Sequence, residues 1–223
     1  LILTTLGYST PLNSLKGKVI LKKEFSPYTL KSDLVQSEKD SLIVEAGVHI
    51  LSEGYYKLLL RGAVDFKGTA ADSIRINSSI ADKPWIGLYV VSGANTANFK
   101  YVVVQGAFKN AVIESQGSIL NSSFRNNHYG LWLDRADSVK LKNTDFSSNH
   151  FGVSVVQGNV ALHNISAQQN AFGLFVEHGG SYQVYQSDIS QNLQQDIFEE
   201  SKDLKSGENR MNRAVWRALE SQF

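Results

Sequence analysis

Apolar and polar residues alternate along this chain in short bursts, and the bursts recur. Gly87-Leu88-Tyr89-Val90 is echoed by Asn110-Ala111-Val112-Ile113, Gly130-Leu131-Trp132-Leu133, Gly152-Val153-Ser154-Val155 and Gly173-Leu174-Phe175-Val176. The leading residues are 23, 20, 22 and 21 apart. A second row, Phe99, Ile119, Leu141, Leu162 and Val184, keeps the same rhythm. So does a third, Val104, Phe124, Phe146, Ala167 and Ile189. Asn127, Asn149, Asn170 and Asn192 form a fourth, with Ala107 in the earliest unit. Within each unit the apolar residues alternate with period two, which is strand patterning, and no helical run of comparable length interrupts them. One such unit cannot bury its own apolar face, so neighbours must stack and bring each row into line. The pattern predicts an all-β, single-stranded parallel β-helix with coils of about twenty-two residues. Asparagine suits the fourth row in two ways: it tolerates a left-handed turn, and stacked amides can bond from coil to coil.

Earlier residues follow the scheme more loosely. Leu42, Val44, Val48 and Ile50 alternate around Glu45-Ala46-Gly47, and Leu58, Leu60, Gly62, Val64 and Phe66 alternate up to Gly68-Thr69. Together with Ser26-Pro27-Tyr28 and Trp85-Ile86-Gly87, these segments resemble the opening coils of right-handed β-helix proteins of the pectin-lyase-like class. The resemblance covers residues 26–200 and implies a right-handed winding, which the crossover rule for parallel strands also favours. Residues 1–25 then read as a lead-in or cap. From residue 201 the pattern becomes helical: Met211, Val215 and Leu219 are four apart, and Trp216 widens their face. This predicted C-terminal helix, spanning 201–223, either covers the open end of the stack or docks on a partner.

Composition narrows the function. Twenty-two basic and 21 acidic residues leave a net charge of +1, so no basic stripe advertises nucleic acid. No run is apolar enough to span a membrane. The absence of cysteine excludes disulfides and thiolate metal sites. The apolar opening Leu1-Ile2-Leu3-Thr4-Thr5-Leu6 reads either as a first strand or as the tail of a leader, the latter placing the domain outside the cytoplasm, in the periplasm or at the cell surface.

Alternation places candidate chemistry on the outside. The expected outward row is Tyr89, Val112, Trp132, Ser154 and Phe175, with Tyr89, Trp132 and Phe175 as ligand-stacking rings. Beside it runs Val91, Glu114, Asp134, Val156 and Glu177. Glu114 and Asp134 on adjacent coils could share a proton as an acid/base pair; the simpler reading is an exposed acidic row relieved by Arg135. Enzymes of the resembled class supply a sharper test. Asn143-Thr144-Asp145 matches a polygalacturonase motif in letters, but Phe146 follows where that family has glycine. No Asp-Asp pair exists, and His178-Gly179-Gly180 lacks the preceding glycine. The aspartates that would hold a pectate lyase's calcium, Asp134, Asp137 and Asp145, divide between two strands. His128 and His150 share a turn position, yet no third metal ligand accompanies them, and no cofactor is expected. The sequence thus favours a non-catalytic extracytoplasmic module that binds polysaccharide or another envelope protein. The alternative is a polysaccharide lyase, hydrolase or epimerase using Glu114 and Asp134. A structural part of an envelope assembly would use Met211, Val215, Trp216 and Leu219 to dock.

Overall fold

A computed structural model describes residues 9–81, 83–91 and 97–200. The expected C-terminal helix and its docking residues Met211, Val215, Trp216 and Leu219 lie outside the described residues. Among the described residues every paired strand is parallel to its neighbour, and the chain winds through three faces per coil. The first face includes Lys57–Leu60, Gly87–Val90, Lys109–Ile113 and Tyr129–Asp134. The second includes Ser41–Glu45, Ala63–Lys67, Ala97–Lys100, Gly117–Leu120 and Val139–Lys142. The third is a separate nine-stranded sheet containing Val102–Gln105, Ser123–Arg125 and Asp145–Ser147. Phe151–His163 and Phe172–Tyr185 run on from the first face to the second without a break. Pairing already begins at Thr10–Pro11 and at Lys18–Leu21.

Each face contributes inward rows to one core. Leu60, Val90, Val112, Leu133, Val155 and Val176 align on the first face. Phe66, Phe99, Ile119, Leu141 and Leu162 align on the second, and Ile76, Val104, Phe124, Phe146 and Ala167 on the third. All of these side chains are buried. Stacking like residues gives rings regular partners: Phe124 and Phe146 lie parallel at 5.5 Å, and Phe66 meets Phe99 edge-on at 4.8 Å. The looser early coils obey the same rule, with Leu42, Val44, Val48, Ile50, Leu58, Leu60 and Val64 all buried.

Two residues depart from the expected register. Val112 points inward and pairs with Val90 and Leu133, so Ala111 takes the outward place beside Tyr89 and Trp132. The cause is a register shift between Lys109 and Ala111, where the neighbouring strand carries one extra residue. Val184 occupies an inward row but is 37% exposed, because no further coil of the described chain covers it.

The inner asparagines behave as a ladder. Asn149 Oδ1 accepts from Asn127 N at 2.9 Å and from Asn127 Nδ2 at 3.1 Å. Asn149 Nδ2 in turn donates to Phe124 O and Asn170 Oδ1. The series continues through Asn170 and Asn192 and ends on Asp196 Oδ1, which accepts from both nitrogens of Asn192. These asparagines are not the left-handed residues of the turn. That conformation falls one position earlier, at Asn126, Ser148, Gln169 and Gln191. Gly130, Gly152 and Gly173 make room for the ladder: a Cβ on Gly152 would lie 3.0 Å from Asn170 Nδ2 and 2.5 Å from Gly173 O.

Candidate functional site

The outward row of the first face reads Tyr89, Ala111, Trp132, Ser154, Phe175 and Phe198. Ring, small residue, ring, small residue, ring is a regular alternation. Strands stack at ~4.8 Å, so Tyr89, Trp132 and Phe175 recur at ~9.6 Å along the axis. Each of the three is partly exposed, whereas Ala111 and Ser154 are buried beneath them. The structure therefore brings all three expected ring residues onto one line.

A second column supports the first. Tyr129, Phe151 and Phe172 stack at centroid distances of 4.8 and 5.4 Å. They meet the outer row edge-on, Tyr129 against Trp132 at 5.1 Å and Phe151 against Phe175 at 4.9 Å. Edge contacts of this kind favour a fixed ring orientation, because the positive edge of one ring meets the negative face of the next. Lys109 Nζ lies 4.1 Å from the centroid of Trp132 and 4.9 Å from that of Tyr129, adding a cation to the platform. Sequence reasoning missed Lys109 and also Phe198, which stacks on Phe175 at 4.9 Å. Phe198 follows Phe175 by one further period, so extending the row by a single unit would have found it.

At the corner beyond this face, Glu114 and Asp134 lie near one another but not in line. Asp134 pairs with Ile113, and Glu114 N donates to Asp134 O at 2.9 Å. Arg135 bridges the two carboxylates. Its guanidinium forms an ion pair with Glu114 and bonds Asp134 through Nε at 3.2 Å and Nη2 at 3.3 Å. Hydrogen bonding to Asp134, with the charges of both carboxylates, holds the Arg135 pKa above its ordinary value. A shared cation thus joins the carboxylates. Asp137 bonds Asn159 N, and Asp145 sits on the third face, accepting from Ser123 and Ser147.

His128 is sandwiched between Phe108 at 5.0 Å and His150 at 4.9 Å, with nearly parallel rings. Face-to-face imidazoles direct their in-plane nitrogen lone pairs side by side, not toward a common point. Burial pushes His150 below its usual pKa. Among the described residues no group of three His, Asp or Glu side chains could hold a metal ion. Nor is any helix there long and apolar enough to cross a membrane.

Short parallel strands winding around one core, with an outer face lined by rings, define a parallel β-solenoid. Residues 110–222 match the family model described as the right-handed β-helix region, and the chain belongs to that family. No curated protein and no solved structure matches it.

Proposed function

We propose that this chain is a non-catalytic, extracytoplasmic binding module whose first face holds a polysaccharide along the solenoid axis. The observation that carries the reading is the line of Tyr89, Trp132 and Phe175, three partly exposed rings spaced two coils apart on a rigid sheet. Rings fixed by edge contacts stack on sugar faces without losing further rotamer freedom, which favours affinity through preorganisation. Lys109 beside Trp132 offers a donor to hydroxyl or acidic groups of the same ligand. An extracytoplasmic placement suits a cell-wall or surface polysaccharide as that ligand. An envelope protein presenting flat apolar surface is the other occupant this face suits.

A glycan array followed by isothermal titration calorimetry tests the reading. Trp132→Ala and Phe175→Ala should each weaken binding at least about tenfold, a loss of roughly 1.4 kcal/mol, while the folded β spectrum in circular dichroism is retained at the assay temperature. Binding that survives both changes would remove the platform from consideration. The same samples should be assayed for new reducing ends and unsaturated products. Turnover that disappears in Asp134→Asn or Glu114→Gln would replace the binding module with a carboxylate enzyme. The bridging Arg135 argues against that outcome.

A further inference from the structure

The two ends of the solenoid are finished differently. At the start, Leu12 and Leu15 are 6% and 2% exposed and belong to the core, and Leu12 N donates to Thr29 O at 2.8 Å. At the far end of the described residues the inward rows lose their cover. Leu162, Ala167 and Leu174 are fully buried, while the residues aligned with them one coil later are not. Val184 is 37% and Ile197 43% exposed, Ile189 is half-buried, and Leu193 beside them is 83% exposed. Around this apolar centre lies a polar rim. Glu199 takes the inward place aligned with Val176 and accepts from Tyr182 Oη at 2.6 Å, and Asp196 ends the asparagine ladder. The Glu199 contact, with burial, pushes the Tyr182 hydroxyl up to about 12.

Charge marks this end as well. Residues 164–200 contain five carboxylates (Glu177, Asp188, Asp196, Glu199 and Glu200) and no lysine or arginine. The chain that follows has the complementary character. Between Asn209 and Leu219 it carries Arg210, Arg213 and Arg217 with no acidic residue, together with Met211, Val215, Trp216 and Leu219. We propose that residues 204–223 of this same chain dock across the open end, setting Met211, Val215 and Leu219 on Val184, Ile189 and Ile197. The arginines give the segment a positive charge opposite to that of this end. Only a few residues separate the last strand, Gln195–Glu199, from the segment, so its effective concentration at the end reaches the millimolar range. A free partner or a second copy must compete against that advantage. An apolar centre within a polar rim is also the usual composition of a stable protein interface. The docking leaves the aromatic platform open, so it stands whether or not that platform binds glycan.

Limited trypsin digestion of the full chain, followed by mass spectrometry, reads the docking directly. Cleavage after Arg213 and Arg217 should be at least about tenfold slower than in a free peptide of residues 201–223, because only the undocked population is cut. Ile197→Asp, at an already exposed position, should restore peptide-like cleavage. Val215→Asp should do the same from the other side of the contact, and it cannot unfold the solenoid by disturbing its core. Peptide-like cleavage in the unaltered chain would overturn the proposal. Protection that rises with protein concentration alongside a doubled mass would overturn it too, in favour of a second copy at the open end. Protection unchanged by both substitutions would show that the segment is held elsewhere.

Discussion

Two ladders of asparagine climb the central coils, one turned inward and one outward, and they use the same residue for different reasons. In the inner ladder, Asn127, Asn149 and Asn170 are buried, and their side chains satisfy backbone groups of the neighbouring coil. In the outer ladder, Asn121, Asn143 and Asn164 are linked by side chain alone: Asn143 Nδ2 donates to Asn121 Oδ1 at 2.9 Å, and Asn164 Nδ2 to Asn143 Oδ1 at 2.8 Å. Their φ angles of 51°, 52° and 48° are left-handed. Tyr101 and Gln186 hold the same corner in neighbouring coils with similar angles, so the amide is not required there. The inner asparagine is selected for its hydrogen bonds and the outer one for its backbone. Their periodicity in sequence is the same, and only burial tells them apart.

The largest expected effect follows from the inner ladder. Asn149→Ala removes the acceptor for Asn127 N and the donor to Phe124 O, leaving both buried groups unpaired. At about 1–3 kcal/mol for each orphaned group, the cost should be roughly 2–6 kcal/mol in urea unfolding. A midpoint within error of the unaltered protein would show that water replaces the amide and that the two ladders are equivalent after all.

A smaller effect tests whether the inner amides act together. Asn149 and Asn170 bond each other as well as the backbone, through Asn149 Nδ2 to Asn170 Oδ1 at 3.0 Å. Removing both should cost less than the sum of the single losses by about 1 kcal/mol, because the shared bond is counted in each. Strict additivity in the double-mutant cycle would mean that each asparagine serves only its own turn.

Much of the fold is legible in the sequence, and where it is not the reason is physical. A solenoid writes its core as rows in phase, so Leu131, Phe146 and Leu162 could be placed inside from spacing alone. Spacing alone puts Val112 outward, because a β-bulge inserts one residue without leaving a mark in composition: Asn110 faces the pair Gly130-Leu131 across the shift. Val184 has the right pattern for a core residue, but pattern specifies which side a residue faces, not whether another coil lies over it. The rings of the candidate site were found because they recur with the coils. Lys109 was not, since its partner Trp132 is on the adjacent coil and only stacking brings them together. Sequence marks Arg135 as relief for the acidic row, but its position between Glu114 and Asp134 depends on the offset at that same bulge.

The smallest effect is also the most diagnostic, because two substitutions at one outer position should differ in size. Asn143 has its side chain exposed in the hydrogen bonds it makes, so losing them costs little: water supplies the same partners. What remains is the left-handed backbone. Alanine in that conformation costs about 1–2 kcal/mol, and asparagine less, because its short polar side chain bonds locally. Glycine carries no such steric penalty, though it gives the unfolded chain more freedom to lose. Asn143→Ala should therefore lower stability by about 1 kcal/mol, while Asn143→Gly should fall within roughly half a kcal/mol of the unaltered protein on either side. Chemical unfolding of the two variants in parallel decides the matter. If alanine and glycine were equally costly, the outer amides would be bonding for stability as the inner ones do, and the contrast between the ladders would fail. If glycine alone is tolerated, backbone conformation is the whole reason asparagine stands at that corner.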